Sequence, residues 1–346
     1  MQLLNGAEQL SGHNIIGFDI PALEELTSFK LGSQRIIDTL VLSRLFNPVR
    51  EGGHSLAVWG GKLGLSKIEF KEFESYSPQM LEYCKRDVAV NVKVYKSLQR
   101  EGVGFDPRSI VLETETARIL KDQEKNGFYF DEYAADMLLA LMRTKMKDAE
   151  DEVTKVFKPK MDKRLIYRKN TANGSVSKMG CWDTPSGSGV RLTTEEHEIL
   201  SQPATFSTTR VTIVDFSISS RKQIGEYLIE FGWKPEEFTV NGRPVVNEKT
   251  LSQIKDIPQA ELIKDYLMYQ KREAQIKSWI KALKEDGRVH GYVNSNGTIT
   301  GRMTHNNPNM AQVPSSGSPY GKECRACWTV PKGYKLVGID ASGLEL

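Results

Sequence analysis

The stretch "GRVHGYVNSNGTITGRMTHNNPNMAQVP", residues 287–314, decides how the rest of this sequence is read. Its texture is β and loop, and Asn296–Gly297 is a hairpin signal. Arg302 sits among Gly, Thr and Asn, a setting suited to a phosphate oxygen or a base edge, because a planar guanidinium offers a fixed fork of donors. Thr300, Asn309 and Gln312 add neutral hydrogen-bonding groups. From chemistry alone a solvated hairpin remains the alternative.

Upstream, residues 107–286 read as mostly helical. "VLETETARILKDQEKNG" ends in Asn126–Gly127, a C-cap signal, and "DEYAADMLLALMRTKMKDAEDEVTKVF" predicts a second helix. The strongest period lies in "QAELIKDYLMYQKREAQIKSWIKALKEDG". There Leu262, Ile263, Tyr266, Leu267, Ile276, Trp279, Ile280 and Leu283 share one face, which is read as core. Between 158 and 217 the helical period fails, and the segment reads as an irregular insertion in which only "TRVTIVDF" alternates like a strand. Helix returns at "SSRKQIGEYLIEFGW", with Ser219 or Ser220 as the cap.

The net charge of +3 is uneven. Lys155 to Arg191 holds nine Lys or Arg against two Asp, and such a basic stretch suggests a polyanion partner or a solvated loop. Cys84, Cys181, Cys324 and Cys327 are sparse, which fits a reducing compartment better than a disulfide framework. "CRAC" lacks a second ligand pair for zinc and reads as two small core residues. No run of 18 apolar residues, no secretory leader and no phosphate-binding glycine loop is present.

Residues 1–106 mix apolar runs such as "IIGFDI" with helical patterns and look α/β, and "FDPRS" (105–109) reads as a linker. "HNIIGFD" (13–19) and "YCKRD" (83–87) each end in an aspartate. Tyr83 and Asp87 lie four apart, so a helix puts them on one face. Phosphodiester chemistry uses two divalent ions about 4 Å apart, held by converging hard oxygens. Asp19 and Asp87 would be such ligands, or ordinary caps. At the other end "LVGIDASGLEL" (336–346) reads as an apolar strand delivering Asp340, with Glu345 five residues on.

In these segments the chain resembles the family A DNA polymerases, most closely the replicative enzymes of short-tailed bacteriophages. "GHNIIGFDIPAL" and "YCKRDV" are similar to the second and third exonuclease motifs, and "IDTLVLSRL" and "GGHSLAVWGGKLG" to the segments between them. "EKNGFYFD" resembles the start of the polymerase half. Thr298-Ile-Thr300-Gly-Arg302 followed by Pro308-Asn309 and Pro314 is the most specific match, and "LVGIDASGLEL" resembles polymerase motif A.

The resemblance implies a truncated ribonuclease H-like 3′→5′ exonuclease domain over 1–106, a helical thumb over 107–286 and the beginning of a mixed α/β palm over 287–346. It implies Mg²⁺ in two-metal sites, with Asp340 and the Ala341 carbonyl as palm ligands. Asp19 and Asp87 would be exonuclease ligands, and Tyr83 would place the attacking water. Glu345 would exclude a ribose 2′-hydroxyl, while Arg302, Thr300, Asn309 and Gln312 would touch DNA. Primer–template DNA and deoxynucleoside triphosphates are the implied partners, the infected bacterial cytoplasm the implied setting, and 158–217 the place for a processivity factor. The first exonuclease motif and polymerase motifs B and C are not found. The expectation is therefore a fragment, or half of a split enzyme completed by a second polypeptide. A stand-alone 3′→5′ exonuclease and a non-catalytic DNA-binding subunit are the alternatives.

Overall fold

The computed structural model describes residues 2–339. It forms two compact units, Met1–Leu138 with Gln275–Leu346, and Leu139–Ala274. The boundaries expected at 106 and 286 both fall inside the first unit.

The first unit opens with α1 (Gln2–Asn5) and β1 (Gln9–Gly12), which pairs parallel with β2 (Arg35–Asp38). A π-helix over Ile15–Asp19 and α2 (Ile20–Leu26) make the crossover. Leu10, Ile15, Ile16, Ile20, Phe29 and Ile36 close a core around it. Burying each such side chain contributes about 1.5–3 kcal/mol.

Asp38 ends β2 and caps α3 (Thr39–Phe46), accepting from the N–H groups of Leu40 (2.9 Å) and Val41 (3.4 Å). Then come α4 (Leu56–Lys62), capped by Ser55, and α5 (Pro78–Glu101), capped by Ser77. On α5 the four-residue spacing of Val90, Val94 and Leu98 builds one apolar stripe, which is fully buried with Ile37, Leu42 and Trp59. "FDPRS" is not a linker throughout. Asp106 caps α6 (Pro107–Asn126) through the Arg108 N–H at 2.8 Å, with Pro107 in the first helical turn. Gly127, at φ +65°, ends α6 before β3 (Phe128–Phe130) and α7 (Glu132–Thr154).

In the second unit the stretch expected to be irregular is an ordered sheet. β4 (Lys160–Tyr167), β5 (Met179–Trp182), β6 (Gly189–Arg191) and β7 (Ser207–Val214) run antiparallel in the order β6-β5-β4-β7, with α8 (Thr194–Ser201) before β7. On the inner face Ile166 packs with Val190 and Leu200. At the neighbouring inner positions, paired Arg164 and Arg210 lie over the Trp182 ring at 4.3 and 5.2 Å. Their charges meet Asp183 and Glu196. Arginine stems thus occupy positions that an apolar count reads as exposed.

Next, α9 (Arg221–Glu230) takes Ser220 as its cap and α10 (Glu248–Gln253) takes Asn247. These helices, the end of α7 and the first part of α11 (Pro258–Ala282) enclose Val153, Phe157, Ile218, Ile224, Leu228, Leu251 and Ile263. The expected α11 stripe is core: Ile263, Tyr266, Ile276 and Trp279 are buried.

The chain re-enters the first unit with β8 (Arg288–Val289), β9 (Tyr292–Asn294), β10 (Thr304–Asn306), a 3-10 turn over Met310–Gln312, α12 (Gly321–Ala326) and β11 (Trp328–Thr329). β3 is the centre of a sheet ordered β11-β3-β8. Phe130, Trp279 and Trp328 seal its face, with ring centroids 5.1–6.4 Å apart. Cys324 and Cys327 are buried and part of the interior, as two small core residues should be.

The strand expected over Leu336–Ile339 is not formed. Leu336, Val337 and Ile339 are 66%, 77% and 95% exposed, and no described strand pairs with them. An extended run becomes a strand only when a neighbour takes its backbone groups.

Candidate active site

The Arg302 segment is a hairpin whose connection holds itself in shape. β9 and β10 pair antiparallel, Asn294 opposite Thr304. Between them, the Gly297 N–H donates to the Arg302 carbonyl at 3.0 Å, and the Gly301 N–H to the Thr298 carbonyl at 3.1 Å. The Thr298 hydroxyl accepts from the Arg302 N–H at 3.0 Å and lies 3.0 Å from the Thr300 hydroxyl. Gly301 adopts φ +74°, which glycine takes without strain. A side chain at Gly297 would collide with Thr304, its nearest atom 2.1 Å from the added carbon. Asn296–Gly297 therefore opens a longer connection, 295–303, and not a two-residue turn.

The side chains of Thr300 and Arg302 are exposed on this connection. Asn309 precedes the 3-10 turn and Gln312 ends it, both exposed. The Gln312 carbonyl is held by the Gln275 side chain at 2.9 Å. The four residues thus stand on either side of β10 in one unit, all exposed. Asp340, Ala341 and Glu345 lie outside the described residues.

Tyr83 and Asp87 do share a face of α5, and what meets them is a lysine. Lys67 Nζ lies 2.8 Å from Asp87 Oδ2 and 3.1 Å from the Tyr83 hydroxyl, and 5.1 Å from the centre of the Tyr83 ring. Phe70 and Phe73 pack on that ring, each with its centroid 5.7 Å away. Burial alone would lower the Lys67 ammonium, but its hydrogen bonds to Asp87 and Tyr83 outweigh burial and raise it. Asp87 Oδ1 is buried without a hydrogen bond.

Asp19 ends the π-helix, and Asp38 lies near it in charge. Desolvation first, then the Asp38 carboxylate, push the Asp19 carboxyl above its ordinary value, while its own backbone N–H opposes. Asp38 itself is raised by burial against four opposing N–H groups, those of Ile16, Asn14, Leu40 and Val41. It is 3% exposed and fastens the π-helix to α3.

Among the described residues no three His, Cys, Asp or Glu side chains are placed to hold a metal ion. Of the donor set that the resemblance assigns to the exonuclease ions, Asp87 Oδ2 meets the Lys67 ammonium, while Asp87 Oδ1 is left buried without a hydrogen-bond partner.

Two functional groups escaped the sequence reading. Lys67 carries no local signal, since a single lysine in "LSKIEF" says nothing of the helix it crosses. Asp38 had one, an acid ending an apolar run just before Thr39-Leu40, which is an N-cap pattern.

Residues 191–346 match the family model for DNA polymerase family A. Over 423 aligned residues the chain is 31% identical to the DNA-directed DNA polymerase of Enterobacteria phage T3, covering 96% of this chain and 60% of that protein. The chain belongs to DNA polymerase family A. The DNA-directed DNA polymerase of Escherichia phage T7 is also 31% identical, with the same coverage. This family A chain spans about three fifths of the length of both phage relatives.

Among solved structures, the POL domain of Pol1 from M. smegmatis, in complex with DNA primer-template and dNTP, superposes with a TM-score of 0.66 at 14% identity. The match covers 94% of this chain and 46% of that one. The mixed α/β and helical architecture expected from the sequence is therefore a family A fold. Among the described residues no helix is long and apolar enough to cross a membrane.

Proposed function

We propose that this chain is the part of a phage-type DNA polymerase that grips primer–template DNA beside the insertion site. The observation that carries this reading is the self-bonded 295–303 connection, which presents Thr300 and Arg302 to solvent in a family A sequence. A pre-shaped loop loses little entropy on meeting a phosphate, and an arginine there positions DNA without reading its sequence.

In this reading residues 1–106 are a proofreading domain, 107–286 the thumb and 287–346 the start of the palm. The complete enzyme joins a primer 3′-hydroxyl to a deoxynucleoside triphosphate in an infected bacterial cell. Magnesium enters through Asp340 and the Ala341 carbonyl, and Glu345 selects the deoxyribose. Asp19, Asp87 and Tyr83 serve proofreading in this reading, and an ion bound there would have to displace Lys67 from Asp87 Oδ2.

The β4–β7 sheet supports a partner role for 158–217. Its outer face sets Met161 opposite Ile213 and Lys163 opposite Val211, all exposed. Apolar side chains interleaved with lysine suit a processivity protein with an apolar, acidic surface.

The test is binding of the whole chain to a duplex with a recessed 3′ end, followed by fluorescence anisotropy over a salt series. Arg302→Ala should weaken binding of all sequences alike and lower the salt slope by about 1, as loss of one phosphate contact requires. An unchanged slope and affinity would remove Arg302 from the interface.

A further inference from the structure

Arg44 is assigned no role by the motifs, yet it reaches the connection on which the proposed function turns. It lies in the last turn of α3, the helix capped by Asp38. Its guanidinium crosses to β9, where Nη1 donates to Asn294 Oδ1 at 2.9 Å and to the Tyr292 hydroxyl at 3.4 Å. Its carbonyl oxygen accepts from Asn296 Nδ2 at 3.3 Å. One residue of α3 thus holds three side chains along the root of the 295–303 connection. Asn296 Oδ1 is buried without a hydrogen bond, so the Asn296 amide is held through its nitrogen to Arg44.

The setting strengthens the link. Arg44 and Asn294 line a small cavity of about 40 Å³ with Asp38 and Tyr292. The site is half-buried, and a hydrogen bond from a charged donor is worth more than a neutral one. The field of Arg44 is also felt nearby: after burial, it is the next cause that lowers both His13 and His54.

The connection is therefore tied twice. At its tip Thr298 binds the Arg302 backbone. At its root Arg44 fixes Asn294 and Asn296. Releasing the root leaves the tip a closed ring on a looser stem, and a ring that swings must be ordered again when DNA binds.

We propose that Arg44 is a positioning residue for the Arg302 connection, making the N-terminal α/β segment part of the primer–template grip. The proposal rests on the DNA-binding reading above. It makes Arg44 act through the connection, without touching DNA itself.

The experiment uses the whole chain and two readouts, amide hydrogen exchange over 295–303 and anisotropy with a recessed-3′ duplex. The variants are Arg44→Met, which keeps the aliphatic stem, Asn294→Ala, which breaks the link from the other side, and Arg302→Ala. Arg44→Met should speed exchange in 295–303 and weaken duplex binding by about tenfold, the value of one charge-assisted hydrogen bond. Exchange in β4–β7 should not change. Arg44→Met with Arg302→Ala should bind no more weakly than Arg302→Ala alone, because both act on one element.

Unchanged exchange in Arg44→Met overturns the proposal. So do losses that add in the double variant, which would make Arg44 a direct DNA contact. If Arg44→Met does not fold, Asn294→Ala decides by the same criteria. A wild-type chain that ignores the duplex refutes the DNA-binding reading, while the exchange data still decide whether Arg44 orders the connection.

Discussion

Acidification should loosen the N-terminal α/β segment through one histidine. His13 Nδ1 lies 2.9 Å from the Thr39 hydroxyl, which itself lies 2.6 Å from Asn91 Oδ1. His13, Thr39 and Asn91 thus form one short chain of polar side chains within the segment. Burial first, then the Arg44 charge, lowers its pKa from 6.5 to about 4, and a hydrogen bond to the His54 backbone opposes them.

The sign follows from which state takes up the proton. Below 6.5 the unfolded chain binds it and the folded chain does not, so stability is full above 6.5 and lost as pH falls toward 4. The loss amounts to about 2 kcal/mol by pH 5 and about 3 kcal/mol in full. Asp19 and Asp38, both raised by burial, act with the opposite sign, so only a difference isolates His13. His13→Asn keeps a donor for Thr39 and removes the titration. The two compact units need not unfold together, so the assay is hydrogen exchange of the α3 amides at pH 7 and pH 5, corrected for intrinsic rates. Opening should become about 2 kcal/mol easier at pH 5 in the wild type, with much less change in the variant. Equal pH dependence in the two proteins would refute the assignment.

Three further outcomes are expected. Lys67→Met strands Asp87, whose side chain is 21% exposed, and should destabilise α5 by about 1–3 kcal/mol, with Asp87→Asn in the same chain restoring most of it, as read by α5 exchange. Ile166→Ala removes a fully buried side chain from the β4–β7 sheet and should cost about 2–5 kcal/mol in urea unfolding of the second unit. Thiol labelling of the native chain should mark exposed Cys84 and spare Cys327, whose thiol burial pushes up to about 11; rapid labelling of both would contradict the burial of Cys327.

What the sequence revealed depends on where the information sits. Helix α11 was legible because its period comes from apolar residues that meet a core along one face. The family was legible because "TITGRMTHNNPN" needs its residues for backbone shape and exposed chemistry, which leave marks within a dozen positions. The β4–β7 sheet was not, because arginines paired with Asp183 and Glu196 occupy its inner face beside Trp182. Neither was the company of Tyr83 and Asp87. Helical spacing gave their shared face, while Lys67 comes from a segment 16 residues upstream that crosses α5. The same holds for Arg44, whose partners lie about 250 residues away and obey no local rule.

The basic stretch shows how a charge count changes once partners are known. Of its nine cations, Lys155 pairs with Glu152, Lys160 with Glu230 and Arg164 with Asp183. Lys163, Lys169 and Lys178 stay exposed, and Lys163 shares its face with Met161, Val211 and Ile213. DNA phosphates have no use for those apolar side chains, whereas a protein surface does. Neutralising Lys163, Lys169 and Lys178 to Gln should therefore leave the salt slope of duplex binding unchanged, while Arg302→Ala lowers it by about 1. A slope that falls by about 2–3 in the triple variant would put DNA on this sheet and leave the partner role without support.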